Sequence, residues 1–313
     1  MDIQEIIEPF GARIMKPEEN RKVLSFYNSI SMAGGKYNVT TKKEPDYFRF
    51  LNYAGDPNFV FGFHNDNDQL EGMVSLIIRP CYINGKRDVV GYFHDLRFKR
   101  AKERSSKADW KAMGNAILRK GKHIELLKSC RIFIGAYMTA NTYAMNAIGQ
   151  DQRAASGGKK KRKAVDRLQK AAPFLVSNLA SYQAVNIYAR KPQKLLGLVP
   201  SQQPGIKISV SRGESADREP LKDFLDRQNR AKVLGYVFKG ENGELDRRLN
   251  RWDDFSMASF FIARDQTGNI VGTLCVWNPE WGRQLYIDKL PDNKALLAKL
   301  GQFMGLNVPK PNS

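Results

Sequence analysis

The spacing of apolar residues changes along the chain, and each spacing predicts a different element. Glu18 to Ile30 carries apolar residues at helical spacing after Pro17, which predicts a short amphipathic helix. Two apolar runs follow, Asn58 to Phe63 and Met73 to Ile78. The polar stretch HNDND between them is typical of a turn. We therefore predict an antiparallel hairpin after the first helix.

A strand, a helix and another strand are predicted next. After a predicted loop at Arg79 to Lys86, Asp88 to Phe98 has the pattern of a strand. Apolar residues then recur at helical spacing from Trp110 to Leu127, and Arg131 to Met138 is strand-like again. A crossover of this length normally makes its two strands parallel. The predicted class is α/β, with a mixed sheet in which antiparallel strands lead into a parallel pair.

Two segments without apolar periodicity separate this part of the chain from the rest. Gln150 to Lys163 predicts an exposed loop, and KPQKLLGLVPSQQPG predicts a linker. A short strand, Ala184 to Arg190, lies between them.

Beyond the linker the early pattern returns. A helix is predicted around Leu221, Phe224 and Leu225, and ASFFIARDQTGNIVGTLCVW predicts a second hairpin. It matches PNFVFGFHNDNDQLEGMVSLII in order, length and turn placement, which favours a diverged duplication. We therefore predict two domains, residues 1–200 and a second, incomplete copy at residues 201–313.

The charge of the chain is concentrated in two segments. The formal net charge is +19. Arg97 to Arg131 holds twelve Lys or Arg against three acids, and Arg153 to Lys170 holds eight against one. Sixteen of the nineteen charges therefore lie there, which favours an anion-binding face over uniform solvation. The run GGKKKRK is compatible with a nucleic-acid patch or with a solvated loop beside a cofactor.

Several classes of protein are disfavoured by the same sequence. Its apolar runs are far shorter than the roughly 20 residues of a membrane helix, and MDIQEIIEPF carries acids where a signal peptide carries cations. Cys81, Cys130 and Cys275 lie far apart, which predicts free thiols in a reducing cytoplasm. No metal-ligand spacing occurs among cysteines and histidines, so we expect no metal.

The junction between the basic strand and the helix is a candidate phosphate site. A helix that follows a parallel strand presents unpaired N–H groups and its positive dipole end at the sheet edge. Serines are candidate N-caps here, and cations crowd the same turn. The predicted anion-binding residues are Arg100, Lys102, Arg104, Ser105, Ser106 and Lys107.

The order helix, hairpin, strand, helix, strand resembles the GNAT superfamily of N-acyltransferases. GYFHDLRFKR is similar to the strand of the family's motif A, and FIGAYMTANTYAMNAI is similar to its following strand. The resemblance implies an acyl-CoA co-substrate, in the first place acetyl-CoA, and an amine acceptor. It implies that the backbone of Leu96, Arg97 and Phe98 pairs with the pantetheine arm. The family's glycine-rich pyrophosphate loop is replaced by RAKERSSKAD, so serines and cations would hold the phosphates.

Four residues are candidates for catalysis. His94 and Asp95 are candidate bases, and strand alternation predicts that only one of them faces the cleft. His94 has a suitable intrinsic pKa but could be structural, and Asp95 could instead pair with Arg97 on the same face. Asn141 matches the family pattern and could bind substrate or cap a helix. Ile148 stands where the family often has a tyrosine that serves as general acid, and Tyr143 lies nearby in the sequence.

Three functions are compatible with these patterns. The first is acyl transfer from acyl-CoA to an amine. The second is a GNAT-like basic module without catalysis that binds nucleic acid or another polyanion, with an affinity that falls steeply with salt. The third joins a working first domain to a second copy that serves only as its scaffold.

Overall fold

The computed structural model describes residues 2–30, 33–34, 37–105, 109–136, 207–240, 243–278 and 282–289. The helices in these ranges are α1 (Ile3–Ile7), α2 (Asn20–Ser29), α3 (Tyr47–Ala54), α4 (Trp110–Lys120), α5 (Arg218–Arg230) and α6 (Glu244–Arg251). The strands are β1 (Ala12–Ile14), β2 (Ala33–Gly34), β3 (Tyr37–Lys42), β4 (Asn58–His64), β5 (Leu70–Ile83), β6 (Lys86–Phe98), β7 (Cys130–Gly135), β8 (Ser209–Arg212), β9 (Gly235–Tyr236), β10 (Phe260–Arg264), β11 (Ile270–Cys275) and β12 (Gln284–Lys289).

The central sheet has the mixed architecture that the sequence predicted. Its strand order is β1-β4-β5-β6-β7, and β9 pairs with β5. The pairs β1–β4, β4–β5 and β5–β6 are antiparallel, whereas β6–β7 is parallel and α4 lies between them in the chain. The predicted order of helix, hairpin, strand, helix and strand is therefore confirmed, and it is the order on which the GNAT resemblance rests.

Helices cover both faces of this sheet. On one face, α1 and α4 pack against Phe61, Phe63 and Leu76. On the other, α2 and α3 pack against Val60, Met73 and Ile77. Because both faces of the central strands are buried, β4 and β5 are almost continuously apolar rather than alternating.

The predicted loop at residues 79–86 is instead a continuous hairpin. β5 runs on to Ile83, and Asn84 and Gly85 form a two-residue turn with φ of 50° and 77°. Pro80 lies inside β5 without breaking a ladder, because the N–H of Ile78 already bonds to Pro57, just outside β4. Backbone nitrogens two residues apart in a strand point toward the same neighbouring strand. The nitrogen of Pro80 therefore points to the space beyond the end of β4, where no hydrogen bond to β4 is lost.

The predicted helix to Leu127 ends earlier. α4 stops at Lys120, a short 3-10 turn covers Gly121–His123, and Ile124 is extended with φ −98° and ψ 124°. Glycine weakens a helix, so the chain turns here. Ile124 and Leu127 are nonetheless buried in the core, which is the reason for their apolar spacing.

The predicted helix and hairpin of the second part are present. α5 buries Leu221 and Phe224, and β10 and β11 form an antiparallel pair to which β8 is added. Strands from this part also enter sheets of the first part, because β9 pairs with β5 and β12 pairs with β3. The predicted domain boundary between residues 200 and 201 stays a prediction, and so does the duplication. The elements predicted within residues 150–206 lie outside the described residues.

Cys81, Cys130 and Cys275 are free thiols, as the sequence predicted. Over the described ranges, no helix has both the length and the apolar character that crossing a bilayer requires.

A buried carboxylate joins α5 to the central sheet. Asp226 accepts hydrogen bonds of 2.9 Å from Tyr82 on β5 and of 3.0 Å and 3.2 Å from the backbone N–H groups of Phe238 and Lys239. Arg230 on the same helix also donates to this carboxylate, at 3.2 Å. A buried acceptor that satisfies several donors cannot be removed without leaving those donors unpaired.

We expect Asp226→Ala to lower the free energy of unfolding by about 3 kcal/mol, since buried donors lose their acceptor. Asp223→Ala on the same helix is the matched control, because its ion pair with Lys239 is exposed and is worth no more than about 0.5 kcal/mol. Urea denaturation followed by tryptophan fluorescence measures both. Equal effects of the two substitutions would contradict this account of the contact.

Candidate active site

The strand β6 is longer than its parallel contact with β7. Val89 to Phe93 of β6 pair with β7, and the last pair is Phe93 with Gly135. β6 continues to Phe98, so in the part of the chain that the structure describes its last five residues have no partner on the β7 side. Backbone groups at the edge of a sheet are strong hydrogen-bonding groups that a further strand or a ligand can satisfy.

A β-bulge interrupts β6 at the start of this segment. The register against β5 shifts between Met73 and Ser75, and Asp95 has a φ of 53°, in the left-handed region. Such a residue breaks the alternation of side chains along a strand. His94 and Asp95 therefore meet, with His94 Nδ1 3.0 Å from Asp95 Oδ2. The strand alternation assumed for this pair in the sequence analysis is therefore broken at Asp95.

Three side chains converge on a single oxygen of Asp95. Lys43, just after β3, forms an ion pair with Oδ2. Tyr47 on α3 donates its hydroxyl to the same oxygen at 2.8 Å and lies 2.7 Å from the Ser75 hydroxyl. With His94 as the third partner, Asp95 is the centre of a buried polar network.

Arg97 does not pair with Asp95, contrary to the alternative considered from the sequence. Its buried guanidinium donates to the carbonyl of Tyr27 at 2.9 Å and to that of Ile30. It also stacks on the Tyr27 ring, 3.6 Å from the centroid. The bulge at Asp95 breaks the alternation that would place Asp95 and Arg97 on the same face of the strand. Arg97 instead connects α2 to the sheet.

Burial and charge set the ionisation of this network. Burial disfavours ionised Asp95, but Lys43 and then His94 hold the pKa of Asp95 well below its usual range. Burial lowers the pKa of Lys43, and Asp95 opposes that change. Burial also raises the pKa of Tyr47 and raises that of Tyr27 to about 12. Each charge of the Lys43–Asp95 ion pair thus offsets part of the cost of burying the other.

The surroundings of His94 favour its neutral form. Burial lowers the pKa of His94, while the Asp95 carboxylate raises it. Because Asp95 can only accept, Nδ1 carries the proton and donates it. Among the described residues Nε2 has no hydrogen-bond partner although it is buried. The ring thus keeps one basic nitrogen to which no described residue forms a hydrogen bond.

The loop between β6 and α4 differs from the prediction. The N-cap of α4 is Asp109, whose carboxylate accepts from Ala112 N–H at 2.9 Å, and not Ser105. Ser105 donates its N–H and its hydroxyl to the buried carboxylate of Glu71 on β5, at 3.1 Å and 3.2 Å. The helix begins five residues later than Ser105, which places that serine outside its first turn.

The predicted cations of this loop occupy different surroundings. Arg100 and Lys102 are exposed, whereas the Arg104 guanidinium lies over the Phe98 ring, 5.2 Å from its centroid. Phe98 itself packs against Phe63, and Leu96 is 40% exposed. The remaining predicted site residues, Ser106, Lys107, Asn141 and Tyr143, lie outside the described residues.

Sequence reasoning missed Lys43, Tyr47, Ser75 and Glu71. Lys43 lies two residues after the buried Thr41, and side chains two residues apart in a strand lie on the same face. This spacing was the one indication in the local sequence that the Lys43 side chain points inward. Glu71 and Ser75 stand in a strand whose apolar neighbours concealed them. Their partners are 34 and 28 residues away along the chain, so no local pattern could identify the contacts.

Comparisons with known proteins give weak similarities. No protein-family model matches the chain, and no curated protein sequence matches it.

Three solved structures illustrate the similarity. A Trypanosoma brucei acetyltransferase is 14% identical, with a TM-score of 0.29, over 44% of this chain and 89% of that one. A conserved Enterococcus faecalis protein described as "Probable N-Acyltransferase" is 12% identical, with a TM-score of 0.44, over 94% and 62%. Saccharomyces cerevisiae N-myristoyltransferase with bound myristoyl-CoA is 10% identical, with a TM-score of 0.40, over 94% and 72%. At these values the similarity assigns neither an activity nor a substrate to this chain.

The ionised Asp95 makes stability depend on acid pH. Its pKa in the folded protein lies well below the value of about 3.9 in an unfolded chain. Its contribution to the free energy of unfolding is therefore complete above that unfolded value and is lost as the pH falls toward the folded pKa.

We expect the free energy of unfolding of Asp95→Asn to fall less steeply than that of the wild type between about pH 5 and pH 2. Urea denaturation at a series of pH values measures the slope. Asp66→Asn, in the exposed hairpin turn, is the control and keeps the wild-type slope. Identical slopes for Asp95→Asn and the wild type would show that Asp95 is not held ionised.

Proposed function

We propose that this protein is an N-acyltransferase that takes an acyl group from acyl-CoA, in the first place acetyl-CoA, and transfers it to an amine. The observation that carries the proposal is the basic Nε2 of His94. It is buried and unused by the described residues, and it stands where β6 extends beyond β7. A neutral imidazole oriented by a carboxylate is the arrangement that a general base requires.

The chemistry that we propose uses this nitrogen once. His94 Nε2 accepts a proton from the acceptor ammonium, and the resulting amine forms a bond to the thioester carbonyl carbon. The carbon–sulfur bond then breaks, and the leaving thiolate takes the second proton from the former amine nitrogen. The products are an amide, a thiol and an imidazolium, which the Asp95 carboxylate stabilises until the proton leaves.

The co-substrate would lie along the open side of β6. Beyond the bulge at Asp95, the backbone of Leu96, Arg97 and Phe98 offers N–H and C=O groups that suit the amides of a pantetheine arm. Near the following loop, Arg100 and Lys102 are exposed cations, and Arg104 Nε is buried without a hydrogen bond among the described residues. These groups support a phosphate-binding role in a loop that has no glycine.

Calorimetric titration of the full chain with acetyl-CoA tests the binding half of the proposal. We expect saturable binding of acetyl-CoA. Desulfo-CoA, which is coenzyme A without its thiol, should bind with an affinity within a few fold of that of acetyl-CoA. Absence of heat at millimolar acetyl-CoA would refute it. Affinity for a random single-stranded oligonucleotide that falls steeply with salt, without acetyl-CoA binding, would favour the polyanion-binding module.

His94→Gln tests the catalytic half. We expect thiol release from acetyl-CoA with a panel of primary amines to slow by about 10²-fold or more, because the general base is lost. The calorimetric affinity for acetyl-CoA should stay unchanged. His123→Gln, which alters an exposed histidine, is the matched control and keeps wild-type rates. Equal rates for His94→Gln and wild type would exclude His94 as the base.

A further inference from the structure

We propose that Lys43 is a positioning residue, which fixes the Asp95 carboxylate so that His94 keeps its Nδ1–H tautomer and leaves Nε2 free. The inference rests on the proposed function, because it assigns a task to a residue that acts through His94. Lys43 itself contacts no reacting atom in this account.

Among the residues that the structure describes, the ammonium of Lys43 has one strong partner. The side chain is 3% exposed and forms an ion pair with Asp95. Three rings surround the ammonium, with the centroids of Tyr47, Phe50 and Tyr27 at 4.4 Å, 4.5 Å and 5.2 Å from Nζ. Such rings favour a cation but accept no directed hydrogen bond comparable to that of a carboxylate. A buried ammonium is costly unless it is paired, so the contact with Asp95 is strongly constrained.

Lys43 acts on His94 through a single atom, Oδ2 of Asp95. Lys43 and Tyr47 both bind Asp95 Oδ2, the same oxygen that faces His94 Nδ1. Two donors from other elements thus fix this oxygen in position and keep it ionised. An oxygen that is ionised can only accept, which forces the Nδ1–H tautomer on the imidazole.

The backbone on both sides of Lys43 is held by the strand β12. Lys42 pairs with Gln284 in the register of β3 and β12. The Gln284 side chain accepts from the N–H of Glu44 at 3.4 Å and donates to the Glu44 carbonyl at 2.9 Å. A strand from the second part of the chain therefore supports a residue that orients the site in the first part.

The charges near His94 set the direction of the expected effect. Asp95 raises the pKa of His94, whereas Lys43 and Arg283 lower it. Tyr47 from α3 and Ser75 from β5 are neutral hydroxyls in the same network, and Tyr92 stacks on the His94 ring at 5.4 Å. Removing Lys43 takes away a cation and leaves the carboxylate, so the pKa of His94 should rise.

Nitrogen NMR of the histidine rings tests the proposal on the full chain. The sequence has three histidines, and His94→Gln assigns the signal of interest. In the wild type we expect the Nδ1–H tautomer. In Lys43→Met we expect the pKa of His94 to rise by about one pH unit or more. Lys42→Met is the matched control, because that ammonium lies over the Tyr286 ring, 5.0 Å from its centroid, and the pKa should stay unchanged.

The outcomes separate this proposal from the proposed function. An unchanged pKa in Lys43→Met, or the Nε2–H tautomer in the wild type, would overturn the positioning role even if acetyl-CoA binds. If Lys43→Met does not fold, the wild-type titration decides. The ¹⁵Nζ shift of Lys43 must then change with the pH at which His94 titrates, and independent titrations would refute the coupling. Failure of acetyl-CoA binding would refute the acyltransferase and leave the NMR result standing.

Discussion

The ionised Asp95 carboxylate is the constraint on which the site depends. It is placed by a residue with positive φ, at a bulge that brings it beside His94. An unpaired charge in this position would be costly, so elements around it must supply donors. Lys43 follows β3, Tyr47 lies on α3, and Ser75 of β5 bonds to Tyr47. The bulge, the helix α3 and the end of β3 are in this way fixed relative to one another.

The sheet topology sets where the network lies relative to the paired part of β6. β6 is paired with β5 on one side along its length, and among the described residues it is paired with β7 as far as Phe93. The bulge at Asp95 comes two residues later, so the polar network begins close to the point where the described pairing with β7 ends. Strands β9 and β12 add contacts from the later part of the chain, and β12 reaches the segment that carries Lys43.

Local patterns were sufficient for most of the architecture. Periodicity and turn residues predict helix α2, the β4–β5 hairpin, strand β6, the parallel crossover and the β10–β11 hairpin, because the spacing of apolar residues within one element is a local property of the sequence. The loop predicted at residues 79–86 shows the limit of that reasoning. Proline at position 80 indicated a break, but whether a proline breaks a ladder depends on where the neighbouring strand ends, and that is tertiary information.

The site was predictable only in part for the same reason. His94 and Asp95 were candidates from their chemistry, yet strand alternation separated them, and the bulge that joins them has no signature in DLR. Lys43 and Tyr47 lie 52 and 48 residues from Asp95 along the chain, and only the fold brings them together. Serine is a residue type that commonly caps helices, which made Ser105 a candidate. Asp109 lies directly before the first turn of α4 and is its N-cap.

The most direct measurement of the central claim is affinity labelling with bromoacetyl-CoA. This reagent puts an electrophilic carbon near the place of the thioester carbonyl, and a basic imidazole nitrogen there displaces bromide to form a stable bond. Peptide mass spectrometry then locates the modification. The account predicts one label on His94, suppressed by excess acetyl-CoA. Labelling that omits His94, or that acetyl-CoA does not suppress, would contradict it.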